Sequence, residues 1–506
     1  MSVQSEAGGE TPKQDHPSRS DRFVGGLSES IGGPLGTHAG GADGSPGRNR
    51  FWTAARIVLA LTCLTLALHW VQKSPCQDGA WSNYVQYKQY CYTDVLALYY
   101  AEGLNEGKVP YLDHPVEYPV LTGVFMGMLG LPVHEMGQRN PALNQAMWFY
   151  NANAIVLSAL AVWAVAAMLA LRRRRPWDLA LFALAPALFV TATVNWDLLA
   201  IAFAVFGIWA WARRWPVVAG VLLGLGTAAK LWPGFIFVAL IFLAIRSRRF
   251  VPVVNAAVAG AVACVAVNVP FMVLNYENWD RFIELNRERG VDWGTLWYIG
   301  DHLPRGAERY GIEPFRSLAQ NIPLLNNLTY LLIIAAWVAI GVLVLRAPRR
   351  PRLAQVAFLI VAAFLIFNKV WSQQFVLWLL PLAVLARPRW GAFLAWQFAE
   401  LCYFLAFYGE LMGASGKFVF PEWVFVLASA LRLGTVVALC GFVVWDVLHP
   451  EDDAVRQTYA DDPDGGVFDG APDRVAARAA DPGPGGDADA DGTTDASADP
   501  AVTAGR

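Results

Sequence analysis

Apolar runs separated by short polar tips recur from residue 52 to residue 446, and the two longest polar stretches between them are 72–118 and 275–327. Runs of this length predict membrane-spanning helices. The pattern places spans at about 52–71, 148–171, 177–194, 198–212, 216–229, 231–245, 251–274, 328–346, 353–367, 375–386, 390–408 and 423–446. One further stretch, 119–136, is interrupted by Gly127, Gly130 and Pro132. The pieces 216–229 and 231–245 are shorter than the roughly 20 residues a crossing needs, and they meet at Lys230.

Arginine sets the orientation. Arg48, Arg50 and Arg56 flank the first span, and Arg172, Arg173, Arg174 and Arg175 end the 148–171 run. Positive charge concentrates on the cytoplasmic side. With both clusters inside, 119–136 must enter and leave on the outer side, as a re-entrant or interfacial helix. Parity then puts both termini in the cytoplasm. It gathers the 72–118 loop, Asn195 and Asp197, Lys230, the 275–327 loop and the 368–374 tip on or toward the outer side. The expected fold is an all-α polytopic membrane protein of about 12 transmembrane helices plus the re-entrant or interfacial one, embedded in the lipids of a cell membrane.

Composition sharpens this division. Of 506 residues, 56% are hydrophobic, and only seven of the 39 basic residues are Lys. Residues 1–50 are rich in Gly, Ser and Pro, and 451–506 hold 13 Asp and one Glu against four Arg. Neither end carries enough apolar surface to offset chain entropy. Both, 1–50 and 450–506, are predicted to be disordered cytoplasmic tails around a membrane domain over 51–449. The first apolar run opens only at Phe51, so it is expected to stay as an anchor rather than be cleaved as a signal peptide. Cys63, Cys264, Cys402 and Cys440 fall in apolar runs as packing residues, whereas Cys76 and Cys91 share the outer loop, where a disulfide is permitted. No zinc spacing, phosphate-cradling glycine motif or Ser/His/Asp arrangement is present, so nothing calls for a cofactor, ATP or nucleic acid; a metal is not required, although Asp94 with Asp113 could bind one.

Candidate chemistry concentrates in 91–119, where Asp94, Asp113, His114 and Glu117 stand among Tyr92, Tyr99, Tyr100, Tyr111 and Tyr118. A carboxylate held at a membrane surface can take the proton of a hydroxyl brought to it. Lys230 is costly inside lipid unless it faces a polar cavity. Lys369, Asp197 and His302 are the other outward polar candidates.

Asp94 with Tyr99 and Tyr100, then 107–113 (GKVPYLD), then Glu117-Tyr118-Pro119, resembles the first outer loop of family 87 glycosyltransferases of the GT-C fold. The resemblance continues through Trp196-Asp197, the 220–233 stretch with Lys230, and Ser372-Gln373-Gln374-Phe375 running into Trp378 and Pro381. It departs from the commonest Tyr-Pro-Pro pattern at Val120. Such enzymes include polyprenyl-phosphate-mannose-dependent mannosyltransferases. The resemblance implies an inverting transfer of a sugar, mannose in those members, from a polyprenyl phosphate donor to a hydroxyl of a glycolipid or glycan acceptor on the outer side. It makes Asp94 the general base; Glu117, Tyr118, Asp197 and Gln373 from its motifs, and His302 from the 275–327 loop, are the candidates for binding substrate. A departing phosphate needs cations, which Lys230 and Lys369 could supply. A transporter or flippase of lipid-linked sugars would also use broken helices and midplane charge; an internal repeat would favour it, and none is seen.

Overall fold

A computed structural model describes residues 16–32, 52–303 and 311–473. Among them there is no strand, and helices carry the fold. In chain order the helices used below are α1 (Ala54–Lys73), α2 (Asp94–Ala101), α3 (Val120–Arg139), α4 (Gln145–Leu171), α5 (Asp197–Ala212), α6 (Pro216–Ala229), α7 (Phe235–Ser247), α8 (Phe250–Leu274), α9 (Tyr276–Glu288), α10 (Ile322–Arg346), α11 (Leu353–Phe367), α12 (Val376–Ala386), α13 (Trp390–Ala414) and α14 (Glu422–Leu448). Seven are long and apolar enough to cross a membrane, and five shorter apolar helices accompany them. The chain is an all-α polytopic membrane protein.

The short helices are short because they are enclosed. Every residue of α12 and nearly every residue of α11 is buried, and both are apolar on all faces. Longer helices surround them; α8 buries only Val253, Ala256 and Gly260, leaving the rest of its surface for lipid. α6 and α8 meet through Gly220, Gly224 and Gly260, where an added Cβ would run into the facing backbone. Close backbone approach through small residues is how helices pack where lipid is as apolar as leucine.

Four expectations need correcting. The run 177–194 is not one helix. It breaks into Pro176–Leu179, Ala180–Ala183 and Pro186–Thr191, because Pro186 has no N–H to donate and drives Ala185 to an extended conformation. Conversely, the glycines and proline of 119–136 do not interrupt α3, which runs unbroken for 20 residues. They serve as contact points, with Pro110 against Gly127, Leu104 against Gly130 and His134 bonded to the Asn105 carbonyl at 2.9 Å. The loop segment that precedes α3 is thus laid along it. Of the N-terminal tail, Arg22–Gly32 is helical, and Asp21 accepts the backbone N–H of Trp390 at 3.0 Å.

The largest correction is the acidic tail. Residues 451–473 form an irregular strap across the arginine-rich end of the bundle. Asp464 pairs with Arg172, Asp453 with Arg352, Asp461 with Arg350 and Asp473 with Arg246. Phe468 is fully buried against Trp211, whose indole donates to the Gly465 carbonyl at 2.8 Å. Composition alone hides this, since the partners lie far back in the chain. The remaining tail residues, 1–15, 33–51 and 474–506, lie outside the described residues.

Candidate active site

At the opposite end, the extended Thr93 and Asp94, the first residue of α2, lie against residues 193 and 194. The Asp94 N–H donates to the Val194 carbonyl at 2.7 Å and the Thr93 hydroxyl to the Thr193 carbonyl at 2.8 Å. Thr93 also caps α2 by accepting from the Val95 N–H. A disulfide between Cys76 and Cys91, with Cα atoms 5.7 Å apart, ties this approach to the end of α1. Asp94 is thereby delivered beside the polar tip that opens α5.

The side chains then interlock. The Asn195 amide donates to the Asp94 carboxylate at 2.7 Å and to the Tyr118 hydroxyl at 2.6 Å, while its oxygen accepts from Lys230 Nζ at 3.1 Å. Gln374 donates to the same Asp94 oxygen at 3.2 Å. Lys230 sits at the break between α6 and α7, its ammonium 4.6 Å from the centre of the Tyr118 ring and 3.5 Å from Asp197. Asp197 is fully buried, accepts from the Trp378 indole at 2.6 Å and does not line the cavity. It stands as a counter-charge behind Lys230.

Asp94, Glu117, Tyr118, Lys230, Gln373 and Gln374 line a cavity of about 330 Å³. Burial pushes the Asp94 carboxyl above the usual carboxylate range, against the lowering effect of the Asn195 and Tyr92 hydrogen bonds and of Lys230. Burial, with the charge of Asp94, also raises Glu117. A carboxylate so placed is a stronger proton acceptor than one in water. Two buried polar atoms of cavity-lining residues have no partner, the indole N–H of Trp232 and the Oε1 of Gln373.

Other candidates are placed elsewhere. Lys369 turns away to the end of α9, donating to the Arg289 carbonyl and, at 3.5 Å, to that of Arg287. Burial and the neighbouring Arg289 lower its pKa to about 8. His302 stacks on Tyr298 at 4.0 Å beside Asp301 and Glu422 and does not line the cavity. Asp113 is exposed and accepts the Val109 N–H, and His114 lies 3.6 Å from Glu102. The cation that does share the cavity with Lys230 is Arg289. Among the described residues no three His, Cys, Asp or Glu side chains converge as metal ligands.

Reading by span and loop passed over Arg432 and Glu400. Arg432 is fully buried in α14, bonded to Glu400 of α13 at 3.0 Å and donating to the Trp371 and Ser372 carbonyls at 3.1 and 3.2 Å. It is sandwiched by the Trp371 and Tyr403 rings. This strut holds the backbone that carries Gln373 and Gln374 to the cavity. Charged residues inside two apolar runs were the available signal.

The glycosyltransferase family 87 model matches residues 118–372. The chain belongs to glycosyltransferase family 87. Among curated proteins none matches it. The matched span carries Tyr118, Asn195, Asp197 and Lys230, while Asp94, Gln373 and Gln374 flank it and join it only in the folded chain. The chain is thus a membrane glycosyltransferase, and a transporter reading is set aside.

Proposed function

We propose that this family 87 enzyme transfers a sugar, mannose by resemblance, from a polyprenyl phosphate donor to a glycan or glycolipid hydroxyl on the extracytoplasmic face, with inversion. The observation that carries the reading is the Asp94 carboxylate at the cavity wall, joined through Asn195 to the Lys230 ammonium. In one step the acceptor oxygen attacks the anomeric carbon and its proton passes to Asp94. The bond from that carbon to the phosphate oxygen breaks, and polyprenyl phosphate leaves with the electron pair. Lys230, Arg289 and the free Trp232 N–H are the groups available to the developing phosphate charge. An apolar groove of about 370 Å³ between α6, α8 and α9 shares Tyr118, Pro119, Leu231 and Phe282 with the cavity, which suits the isoprenoid chain of such a donor.

Asp94→Asn keeps shape while removing the proton acceptor, so transfer from a polyprenyl-phosphate sugar should fall by at least about 10²-fold. Thermal unfolding should be unchanged. Near-normal turnover would pass the role to Glu117. The outward orientation has its own test. A cysteine placed at Gln138, at the end of α3, should react with an impermeant thiol reagent applied to intact cells; labelling only after permeabilisation would reverse the topology.

A further inference from the structure

Asp94 is delivered by two segments of chain, 90–94 and 193–194, and the end of α1 holds both. His69 takes the second. Its Nδ1 donates to the Phe189 carbonyl at 2.6 Å and its Nε2 accepts the Thr193 N–H at 3.0 Å, so the ring carries one proton and no charge. One turn later Gln72 and Lys73 take the first. Gln72 donates to the Tyr90 carbonyl, and Lys73 Nζ donates to the Tyr90 and Tyr92 carbonyls at 3.4 and 3.0 Å. Tyr90 stands at a φ of 53° to 64° like other left-handed residues of this loop, at 55°, a conformation a tyrosine keeps only where its surroundings over-determine it.

A lysine that closes a helix ordinarily lies along the surface with its ammonium in water. Lys73 is fully buried, and it does not line the cavity. Among the described residues no carboxylate lies within ion-pair distance of it, and the carboxylate whose charge acts on it is Asp94. A buried ammonium without a paired carboxylate is costly, and such groups cluster where charge is used. The other charged and titratable groups facing Asp94 are Tyr92, Glu117 and Tyr118 of the same loop, Asp197 of α5, Lys230 between α6 and α7, and Tyr408 of α13. Lys230 is the one cation among these six. Lys73 therefore adds a second positive charge, from the side away from the cavity.

We propose that Lys73 is a positioning residue for Asp94: it fixes the backbone that carries the carboxylate to the cavity wall, and its buried positive charge stabilises the ionised form that takes the acceptor's proton. The proposal rests on the transferase reading above, in which Asp94 is the base.

The test uses the full chain in lipid nanodiscs with Lys73→Met, which removes donor and charge, and Lys73→Gln, which keeps a donor. Asp94 protonation is read without any sugar donor, from the infrared carbonyl band of its acid form, assigned by its absence in Asp94→Asn. In both variants the midpoint of that band should rise by about half a pH unit or more, because a neighbouring positive charge is gone. Below the midpoint, kcat for transfer from a polyprenyl-phosphate sugar should fall about threefold, the factor that half a unit implies. KM for that donor should not change, since Lys73 lies outside the cavity. An Asp94 band unmoved in both variants, or a loss that falls on KM with kcat intact, would overturn the proposal. Should Lys73→Met fail to fold, Lys73→Gln decides alone. A shifted band beside an unshifted pH–rate profile would count against Asp94 as the base and leave the hold of Lys73 on it standing.

Discussion

Charge is buried at both ends of this molecule, and the two ends treat it oppositely. Under the strap, Arg352 reaches Asp453 through two nitrogens at 2.7 and 3.1 Å and gives a third bond to the Leu385 carbonyl. Burial pushes the Asp453 carboxyl up, but Arg352, the Val455 N–H and Arg456 together more than offset it, and the group is held below the usual range. Asp94 is buried too and stays above that range, because no cation pairs with it directly: Lys230 stands beyond Asn195, and Asp197 adds a like charge. By linkage, Asp453 contributes stability above its unfolded pKa that is lost as pH falls through its folded value. Asp94 runs the other way, since the fold favours its protonated form and that contribution is lost as pH rises through its folded value. A saturated ion pair holds helices together; an incompletely paired carboxylate beside a cavity keeps the capacity to accept a proton.

Deleting residues 451–506 breaks the comparison most severely. It leaves Arg172, Arg246 and Arg352 buried without their carboxylates. Each broken pair costs roughly 3–5 kcal/mol, together enough to exhaust the stability of an ordinary domain. We expect no monodisperse protein by size-exclusion chromatography, whereas deleting only 474–506 should leave the elution profile unchanged. A folded protein lacking the whole strap would show that the pairs are dispensable.

At the other end the expected effects are on rate. Lys230→Met alone strands Asp197, so the informative variant is Lys230→Met with Asp197→Asn, which removes both charges. Losing one charged contact should weaken donor binding about tenfold. Donor affinity equal to wild type by titration calorimetry would remove Lys230 from the phosphate site. The smallest effect concerns pH. Asn195 lowers the Asp94 pKa, so Asn195→Ala lets it rise further, and the base is ionised only at higher pH. The acid limb of the pH–rate profile should therefore move to higher pH, with activity lost more at low pH than at high. An unmoved limb would mean that Asp94 is not the titrating group.

How much of this was legible in sequence follows the same division. Apolar periodicity located the bundle, the break at Lys230 and the long polar loops, because hydrophobic burial is written locally. The order of short motifs brought Asp94, Tyr118, Lys230 and Gln373 into one reading, and the fold does set them around one cavity. Lys369 and His302 were grouped with them only because they share a side of the chain map. A one-dimensional pattern carries the level of a residue but not the direction of its side chain, and Lys369 points to the end of α9. Pro186 was a readable break that a long apolar run masked. The strap was not readable at all, since an aspartate-rich segment looks disordered until its arginines are placed opposite it.

The strap also sets a schedule. Asp464 leaves the ribosome 292 positions after Arg172. At 5–20 residues per second that is roughly 15–60 s during which Arg172 has no carboxylate to meet. The helices insert first, and their arginine-rich ends stay unjoined until the last stretch of chain arrives to close them. The final residues of the described chain therefore act as the clasp of biogenesis, so a nascent protein stalled in its last tenth would hold a complete set of helices and still be an unlocked bundle.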